Sequence, residues 1–166
     1  MGRIEISFVV VSVLLALPTV TGAKTRISGT ARCGRPNTQA TVEVGDRPNH
    51  SFMVSQAKCR WVKPWEIEGI QNKKGVATAH DEIRGNSSRT RGFYVDTMAN
   101  GDKVHYRYEG TATLKKGVPQ SGETEWRIIR GTGKFKGIKG QGTCRGKAGA
   151  DGSMTWECAG AYRFPK

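Results

Sequence analysis

The sequence predicts an all-β protein: one antiparallel barrel of about eight strands, closed or nearly closed, that is held by disulfide bonds. Short runs in which apolar and polar residues alternate are separated by Gly, Asn and Asp, a pattern typical of antiparallel sheets. The chain has 166 residues, of which 22 are glycine, and no helical periodicity is evident in the body of the chain. A sheet of about eight strands can close into a barrel, and a closed barrel has no exposed sheet edge.

The chain begins with a segment that is typical of a secretory signal peptide. A short charged start precedes an apolar run at 6–17, and Pro18 ends this run. Small residues leading to Ala23 resemble a signal-peptidase site. A membrane anchor is the alternative, but it needs about 20 apolar residues. We therefore expect a cleaved signal peptide at 1–23, one barrel domain at 24–166, and a secreted or periplasmic location.

Four cysteines predict two disulfide bonds, because an exported chain meets oxidising conditions. Cys144 and Cys158 flank a turn-rich stretch, KAGADGS, so they can face each other across a hairpin. Cys33 and Cys59 then pair with each other. Zinc binding is the alternative, but the chain has no CxxC pair and no close Cys/His spacing. We expect neither a metal site nor a cofactor.

The clearest strand pair lies at 89–114, where Asn100-Gly101 separates two alternating runs. This dipeptide favours a two-residue type I′ turn, which would place Ala99 opposite Asp102. One face of the hairpin is then apolar and aromatic. Its residues are Phe93, Val95, Thr97, Val104, Tyr106 and Tyr108.

The other face of this hairpin carries the candidate ligand-binding residues, Tyr94, Asp96, His105 and Arg107. In the expected register Asp96 lies opposite His105, and Tyr94 lies opposite Arg107. A carboxylate so close to an imidazole favours the charged ring and raises its pKa. If this face points into the barrel, the four side chains line a ligand cavity. The alternative is a solvated outer face.

Six further strands complete the predicted barrel, at 26–33, 51–61, 76–84, 123–130, 138–145 and 153–164. In the last of them Met154, Trp156, Cys158, Tyr162 and Phe164 share one face, which predicts that this face packs toward the core. In the third, VATAHDEIR, His80 and Glu82 share one face and Asp81 lies on the other.

The glycine-rich stretch RGTGKFKGIKGQGTCRG, at 130–146, matches neither the P-loop nor the dinucleotide-binding motif. No helical pattern follows it to supply a phosphate-binding N-terminus. We interpret the stretch as a tight turn between strands that Phe135 and Ile138 plug with apolar bulk. Gly140 and Gly142 would let the backbone pass close to another group.

The run from Arg130 to Gly140, preceded by Trp126, resembles the late segment of allene oxide cyclase and dirigent-type β-barrels. Together with YVDTMANGDKVHYRYEGT it also resembles small secreted bacterial proteins that we place near this group. The resemblance covers residues 91–164, the C-terminal half. It implies barrel geometry and a small apolar molecule held inside the barrel, and it carries over no catalytic residue.

The chain is strongly basic, with 27 Lys and Arg against 14 Asp and Glu and a net charge of +13. A positive field attracts polyanions such as acidic glycans, cell-wall polymers and anionic lipid headgroups. Simple solubility is the alternative explanation of the charge. Nucleic acid is not an expected partner, because the sequence has no nucleic-acid-binding signature and export disfavours such a target.

Motifs of common enzymes are absent: the sequence has no G-x-S-x-G elbow and no H-E-x-x-H. We therefore expect an exported, non-enzymatic protein that binds a small, partly apolar ligand in the barrel lumen. One alternative is a cationic protein that binds acidic surface polymers. Another is an isomerase or cyclase that works in the lumen through Tyr94, Asp96 and His105. Polyanion binding should weaken as ionic strength rises, whereas lumen binding should hardly respond.

Overall fold

The computed structural model describes residues 23–165, and within them it contains ten β-strands and one short 3-10 helix. The predicted signal peptide at 1–23 lies outside the described residues except for Ala23. Within residues 23–165, no helix has the length and apolar character needed to cross a membrane.

The strands follow one another along the chain with short connections. They are β1 (Thr25–Cys33), β2 (Thr38–Glu43), β3 (His50–Lys63), β4 (Glu66–Ile67), β5 (Ile70–Arg84), β6 (Ser87–Met98), β7 (Lys103–Lys115), β8 (Val118–Gly131), β9 (Lys139–Ala148) and β10 (Met154–Arg163). The 3-10 helix, Gly133–Phe135, lies between β8 and β9.

Eight of these strands form a closed antiparallel barrel, which confirms the predicted fold class. Around the ring the order is β3-β1-β10-β9-β8-β7-β6-β5, and β5 pairs with β3 to close it. β2 pairs with the first half of β3 outside the ring, and β4 pairs with the start of β5. The sequence did not predict β2, because all six of its residues are exposed and no buried face marks it.

Both predicted disulfide bonds are confirmed. Cys144 lies directly opposite Cys158 on β9 and β10, and their sulfur atoms are 2.03 Å apart. Cys33 lies opposite Cys59 on β1 and β3, with an S–S distance of 2.00 Å. Disulfides persist in oxidising compartments, so these bonds are compatible with an extracellular or periplasmic location.

One end of the barrel, which we call the closed end, is filled by large apolar side chains from several elements. Phe135 and Ile67 have no solvent exposure, and Met98, Val104 and Ile138 are exposed by 1% or less. They belong to one hydrophobic cluster. The prediction that Phe135 and Ile138 plug the turn after β8 is therefore confirmed.

The inward-facing glycines of β9 make room for tryptophan rings that pack against the strand. A Cβ atom on Gly142 would lie 2.5 Å from Cζ2 of Trp126, and one on Gly146 would lie 2.7 Å from the ring of Trp156. Both distances are shorter than van der Waals contact. The glycine-rich stretch is thus a strand that accommodates aromatic rings, as the expected close approach at Gly142 predicts.

The predicted register of the β6–β7 hairpin is wrong by one residue. The Met98 N–H donates to the Asp102 carbonyl (2.9 Å), so the loop has three residues, 99–101. Gly101 has a φ of 87°, the left-handed conformation that closes a three-residue loop after a type I turn. Asn-Gly suits this loop as well as the two-residue turn, and the extra residue changes every cross-strand pair.

Candidate functional site

The end of the barrel opposite the closed end, which we call the open end, encloses a cavity of about 640 Å³. Its mouth lies between the segment at 34–39 and the β7–β8 turn. Small side chains face inward from the neighbouring strands β3 and β5, where Ala57, Ala77 and Ala79 line the cavity. Because these side chains do not reach the barrel axis, the lumen stays open.

The bottom of the lumen is an aromatic floor made of five rings: Trp61, Trp65, Tyr94, Tyr106 and Trp126. Trp65 is central, since its ring centroid lies 4.6 Å from that of Trp61 and 5.5 Å from that of Trp126. Tyr106 meets Trp126 edge to face at 5.6 Å. Such tilted and edge-to-face contacts are the favoured geometries for aromatic pairs, so the floor is a closely packed, largely apolar surface.

Asp96 lies beneath this floor with no solvent exposure. Its carboxylate accepts hydrogen bonds from Nε1 of Trp61 (2.9 Å) and Nδ2 of Asn72 (3.0 Å). Burial raises the pKa of Asp96 to about 7, and the bonds from Trp61 and Asn72 limit the rise. The Asn72 side-chain oxygen in turn accepts the backbone N–H of Trp65 (3.0 Å). Asp96 therefore anchors two of the three tryptophans of the floor, Trp61 directly and Trp65 through Asn72.

Three polar atoms of the floor are buried without a hydrogen-bond partner: the hydroxyls of Tyr94 and Tyr106 and the indole nitrogen of Trp65. Burial raises the pKa of both tyrosines well above the ordinary value, and the Asp96 charge adds to the rise. A buried polar group without a partner costs free energy. The floor therefore presents an apolar surface to the lumen, and its buried, unpaired polar atoms lower the stability of the fold.

One carboxyl group lies on the wall of the lumen itself. Asp81 projects inward from β5, opposite Thr90 on β6, and is only 9% exposed. Burial raises the pKa of Asp81, whereas a hydrogen bond from Thr90 opposes the rise. The other charged side chain lining the lumen, among the described residues, is Arg35 at the mouth. A ligand in the lumen would meet an apolar floor and one hydrogen-bonding carboxyl on the wall.

The four candidate residues from the sequence do not come together. Tyr94 lines the lumen, and Asp96 lies under the floor. Asp96 is opposite Val104, and His105 is opposite Val95, so the expected Asp96–His105 contact is not formed. His105 and Arg107 lie on the outer wall of the barrel. The pKa of His105 is lowered, not raised, by burial and then by the charges of Arg130 and Lys103.

Two residues that shape the lumen and its floor, Asp81 and Asn72, were not predicted as site residues. Asp81 was placed on the face opposite to His80, and the structure has His80 on the outer wall, where it stacks on Phe52 at 5.3 Å. A signal for Asp81 was present: Ala77, Ala79 and Ile83 alternate with it, and all four line the lumen. Asn72 carries no such signal, because the carboxylate that it contacts, Asp96, is 24 residues away in sequence.

In the part of the chain that the structure describes, no group of three or more His, Cys, Asp or Glu side chains is arranged to hold a metal ion. A cluster of ionisable side chains surrounds His50 near the β2–β3 turn. There His50 contacts Asp46 (2.5 Å) and Glu82 (3.2 Å).

Together these features define a class: an eight-stranded antiparallel barrel with a lumen of ligand size that opens at one end. The fold is similar to that of the pterocarpan synthase dirigent protein GePTS1, with a TM-score of 0.50. The two share 15% sequence identity, and the match covers 92% of this chain and 98% of that chain. At this identity the likeness shows the fold, and it supports the resemblance to dirigent-type barrels.

A second solved structure is more distant. The conserved protein of unknown function RPA1785 from Rhodopseudomonas palustris matches with a TM-score of 0.47 and 16% identity, over 86% of this chain and 99% of that chain. No protein-family model matches the sequence, and no match was found among curated proteins.

Proposed function

We propose that this protein is an exported, non-enzymatic binding protein that holds one small, partly apolar ligand in the barrel lumen. The observation that carries the proposal is the lumen itself. A volume of about 640 Å³ lies within the range of roughly 300–1,000 Å³ that is usual for small-molecule sites. The dirigent-type fold is consistent with such a site, although fold alone does not assign function.

The chemistry of the lining defines the ligand. Aromatic rings and alanine methyls offer a dry, mostly apolar surface that favours a flat or ring-containing molecule. The Asp81 carboxyl on the wall accepts a hydrogen bond from a hydroxyl or amine group of the ligand when ionised. The ligand is therefore apolar at the end that reaches the floor and carries a hydrogen-bond donor nearer the mouth.

A catalytic role through Tyr94, Asp96 and His105 finds no support in this geometry. His105 is on the outer wall, opposite Val95 and Arg130, so it cannot share a substrate with Tyr94. Asp96 is covered by the floor, with both carboxylate oxygens engaged by Trp61 and Asn72. We therefore favour binding over an isomerase or cyclase.

A neutral fluorescent probe, N-phenyl-1-naphthylamine, tests the proposal without attraction to the basic surface. We expect saturable binding of one probe per chain, with an affinity that hardly changes between low and high salt. Ala79→Trp places an indole in the lumen and should weaken binding by roughly tenfold or more. The matched control is Ala159→Trp, since Ala159 is an exposed residue of β10.

Exposed apolar residues on the outer wall, such as Phe52 (38%) and Val54 (51%), offer the probe another surface. Equal binding by wild type, Ala79→Trp and Ala159→Trp would show that the probe uses such a surface, and it would overturn the proposal. So would the absence of saturable binding. Near-ultraviolet circular dichroism confirms that each variant is folded before it is compared.

A further inference from the structure

The outer wall near the closed end carries a group of basic side chains that do not line the lumen. We call it the cationic patch; it consists of Lys103, His105 and Arg107 on β7 and of Arg127 and Arg130 on β8. The four lysine and arginine residues are exposed, and His105 is half-buried. Two of the patch residues are His105 and Arg107, which the sequence singled out for a ligand site inside the barrel.

Cross-strand pairing sets like charges against each other in this patch. Arg107 lies directly opposite Arg127, so two guanidinium charges face each other. His105 lies opposite Arg130 and is neutral at pH 7 because its pKa is lowered. A β-bulge between these pairs turns both Ile129 and Arg130 toward solvent. Like charges at directly opposite positions destabilise a sheet, so the fold keeps this arrangement at a cost to its own stability.

The described residues form no ion pair with the lysine and arginine side chains of the cationic patch. Among residues 23–165, ion pairs within 4 Å involve Arg32, Arg47, His50, Arg84 and Arg145, and none involves a residue of the patch. The next outward-facing position along each strand is a carboxylate, Glu109 on β7 and Glu125 on β8, and these two lie opposite each other. Asp102, beside Lys103, instead accepts the backbone N–H of Lys134 (3.1 Å).

We propose that the cationic patch is a binding site for an acidic polysaccharide whose sulfate or carboxylate groups run along β7. Alternate residues of a strand are about 6.8 Å apart on one face, so Lys103, His105 and Arg107 form an evenly spaced row. Arg127 and Arg130 add a second row on β8. Arginine forks pair with sulfate and carboxylate groups in a bidentate manner.

Two further observations favour a polysaccharide over other polyanions. Phe93 lies opposite Arg107 on β6 and is 54% exposed, which offers an apolar face to a sugar ring beside the charged row. The two disulfide bonds are compatible with an extracellular or periplasmic location, where acidic polysaccharides are abundant and nucleic acids are not. The convex wall of a barrel would meet a flat lipid surface only along a narrow line.

Heparin is the probe for this site, with affinity measured by calorimetry at 150 mM NaCl. The test variant is Arg107→Gln with Arg127→Gln, and the matched control is Lys115→Gln with Lys116→Gln. The control removes the same net charge from two exposed residues, Lys115 at the far end of β7 and Lys116 in the β7–β8 turn. We expect the test variant to bind heparin roughly tenfold more weakly or worse, with a shallower salt dependence, and the control to change by less than about twofold.

A second readout does not depend on the variants. On heparin binding, the His105 pKa should rise toward its ordinary value or above it, because an anion then faces the ring in addition to Arg130 and Lys103. Proton NMR of the imidazole measures this shift. Equal heparin affinity in the test and control variants, or an unchanged His105 pKa, would overturn the proposal that the cationic patch binds acidic polysaccharides.

A single-stranded oligonucleotide or a vesicle with anionic lipids serves as the competing probe. Tighter binding of either probe than of heparin, at equal charge concentration, would show that the patch does not prefer an acidic polysaccharide. The proposal is separate from the lumen: the test variant should bind N-phenyl-1-naphthylamine as the wild type does, so each proposal can fail alone.

Discussion

The two ends of the barrel are made from the same strands and differ in the size of the side chains that point inward. At the closed end the inward positions hold Met98, Val104, Ile128 and neighbouring large residues, and the interior is full. At the open end the inward positions of β3 and β5 hold alanines, and a lumen remains. An eight-stranded barrel is just wide enough either to be filled by side chains or to hold one small ligand.

Stability and binding are therefore separated along the barrel axis. The closed end supplies buried apolar surface that stabilises the fold. The open end buries less apolar surface and instead contains the cavity. The aromatic floor marks the boundary between the two, with Asp96 and Asn72 beneath it. Substitutions should therefore affect stability or ligand binding according to the end at which they lie.

The largest effect on stability is expected from Phe135→Ala at the closed end. Phe135 has no solvent exposure, and removing a buried ring destabilises by about 3–5 kcal/mol. Met53→Ala, in the half-buried lining of the lumen, is the matched change at the open end and should cost about 1 kcal/mol. Urea denaturation measures both; a larger loss for Met53→Ala would contradict the separation of the two ends.

The second effect is a pH dependence of the free energy of unfolding that arises from Asp96 beneath the floor. Because the pKa of Asp96 is about 7 in the folded protein and about 4 in an unfolded chain, the folded state binds the proton more tightly between these values. The free energy of unfolding should therefore fall as pH rises from 4 to 7, by up to about 4 kcal/mol, and level off above. Asp96→Asn should remove most of this slope, leaving the smaller contribution of Asp81, whose pKa is also raised.

Unfolding curves at several pH values measure that slope in the wild type and in Asp96→Asn. A carbon-13 NMR titration of the Asp96 carboxyl gives the pKa itself. Identical slopes in the two proteins, or a carboxyl that titrates below pH 5, would show that the floor does not isolate Asp96 from water.

The smallest effect distinguishes two tyrosines that both line the lumen. The Tyr106 hydroxyl is buried without a partner, so Tyr106→Phe should stabilise the protein by about 1 kcal/mol. The Tyr108 hydroxyl donates to the Thr78 carbonyl at 3.4 Å, so Tyr108→Phe should destabilise it by about 0.5 kcal/mol. Thermal unfolding compares them, and equal effects of the same sign would refute this view of the floor.

Much of the fold could be predicted because each signal is local. Cys144 and Cys158 flank a short turn, and alternation along the last strand places Cys158 among inward residues, as found. The glycine-rich stretch was identified as strand and turn from its failure to match phosphate-binding motifs. Phe135 could be assigned to the interior because it is an aromatic residue between glycines in a tight turn.

The site could not be predicted because it depends on a single residue of register. Asn100-Gly101 is compatible with loops of two or three residues, and the choice decides whether Asp96 faces His105 or Val104. The energy difference between these loops depends on which side chains the closed barrel buries. The partners of Asp96, Trp61 and Asn72, reach it from strands 35 and 24 residues away in sequence, where periodicity gives no information.

An NMR experiment on protein labelled at the alanine methyl groups and saturated with N-phenyl-1-naphthylamine tests whether the lumen is the ligand site. We predict nuclear Overhauser contacts from the probe to the methyls of Ala57, Ala77 and Ala79, which line the lumen, and none to Ala159 on the outer wall. Contacts to Ala159 or to other outer alanines, with none to the three inner methyls, would contradict the assignment of the lumen as the ligand site.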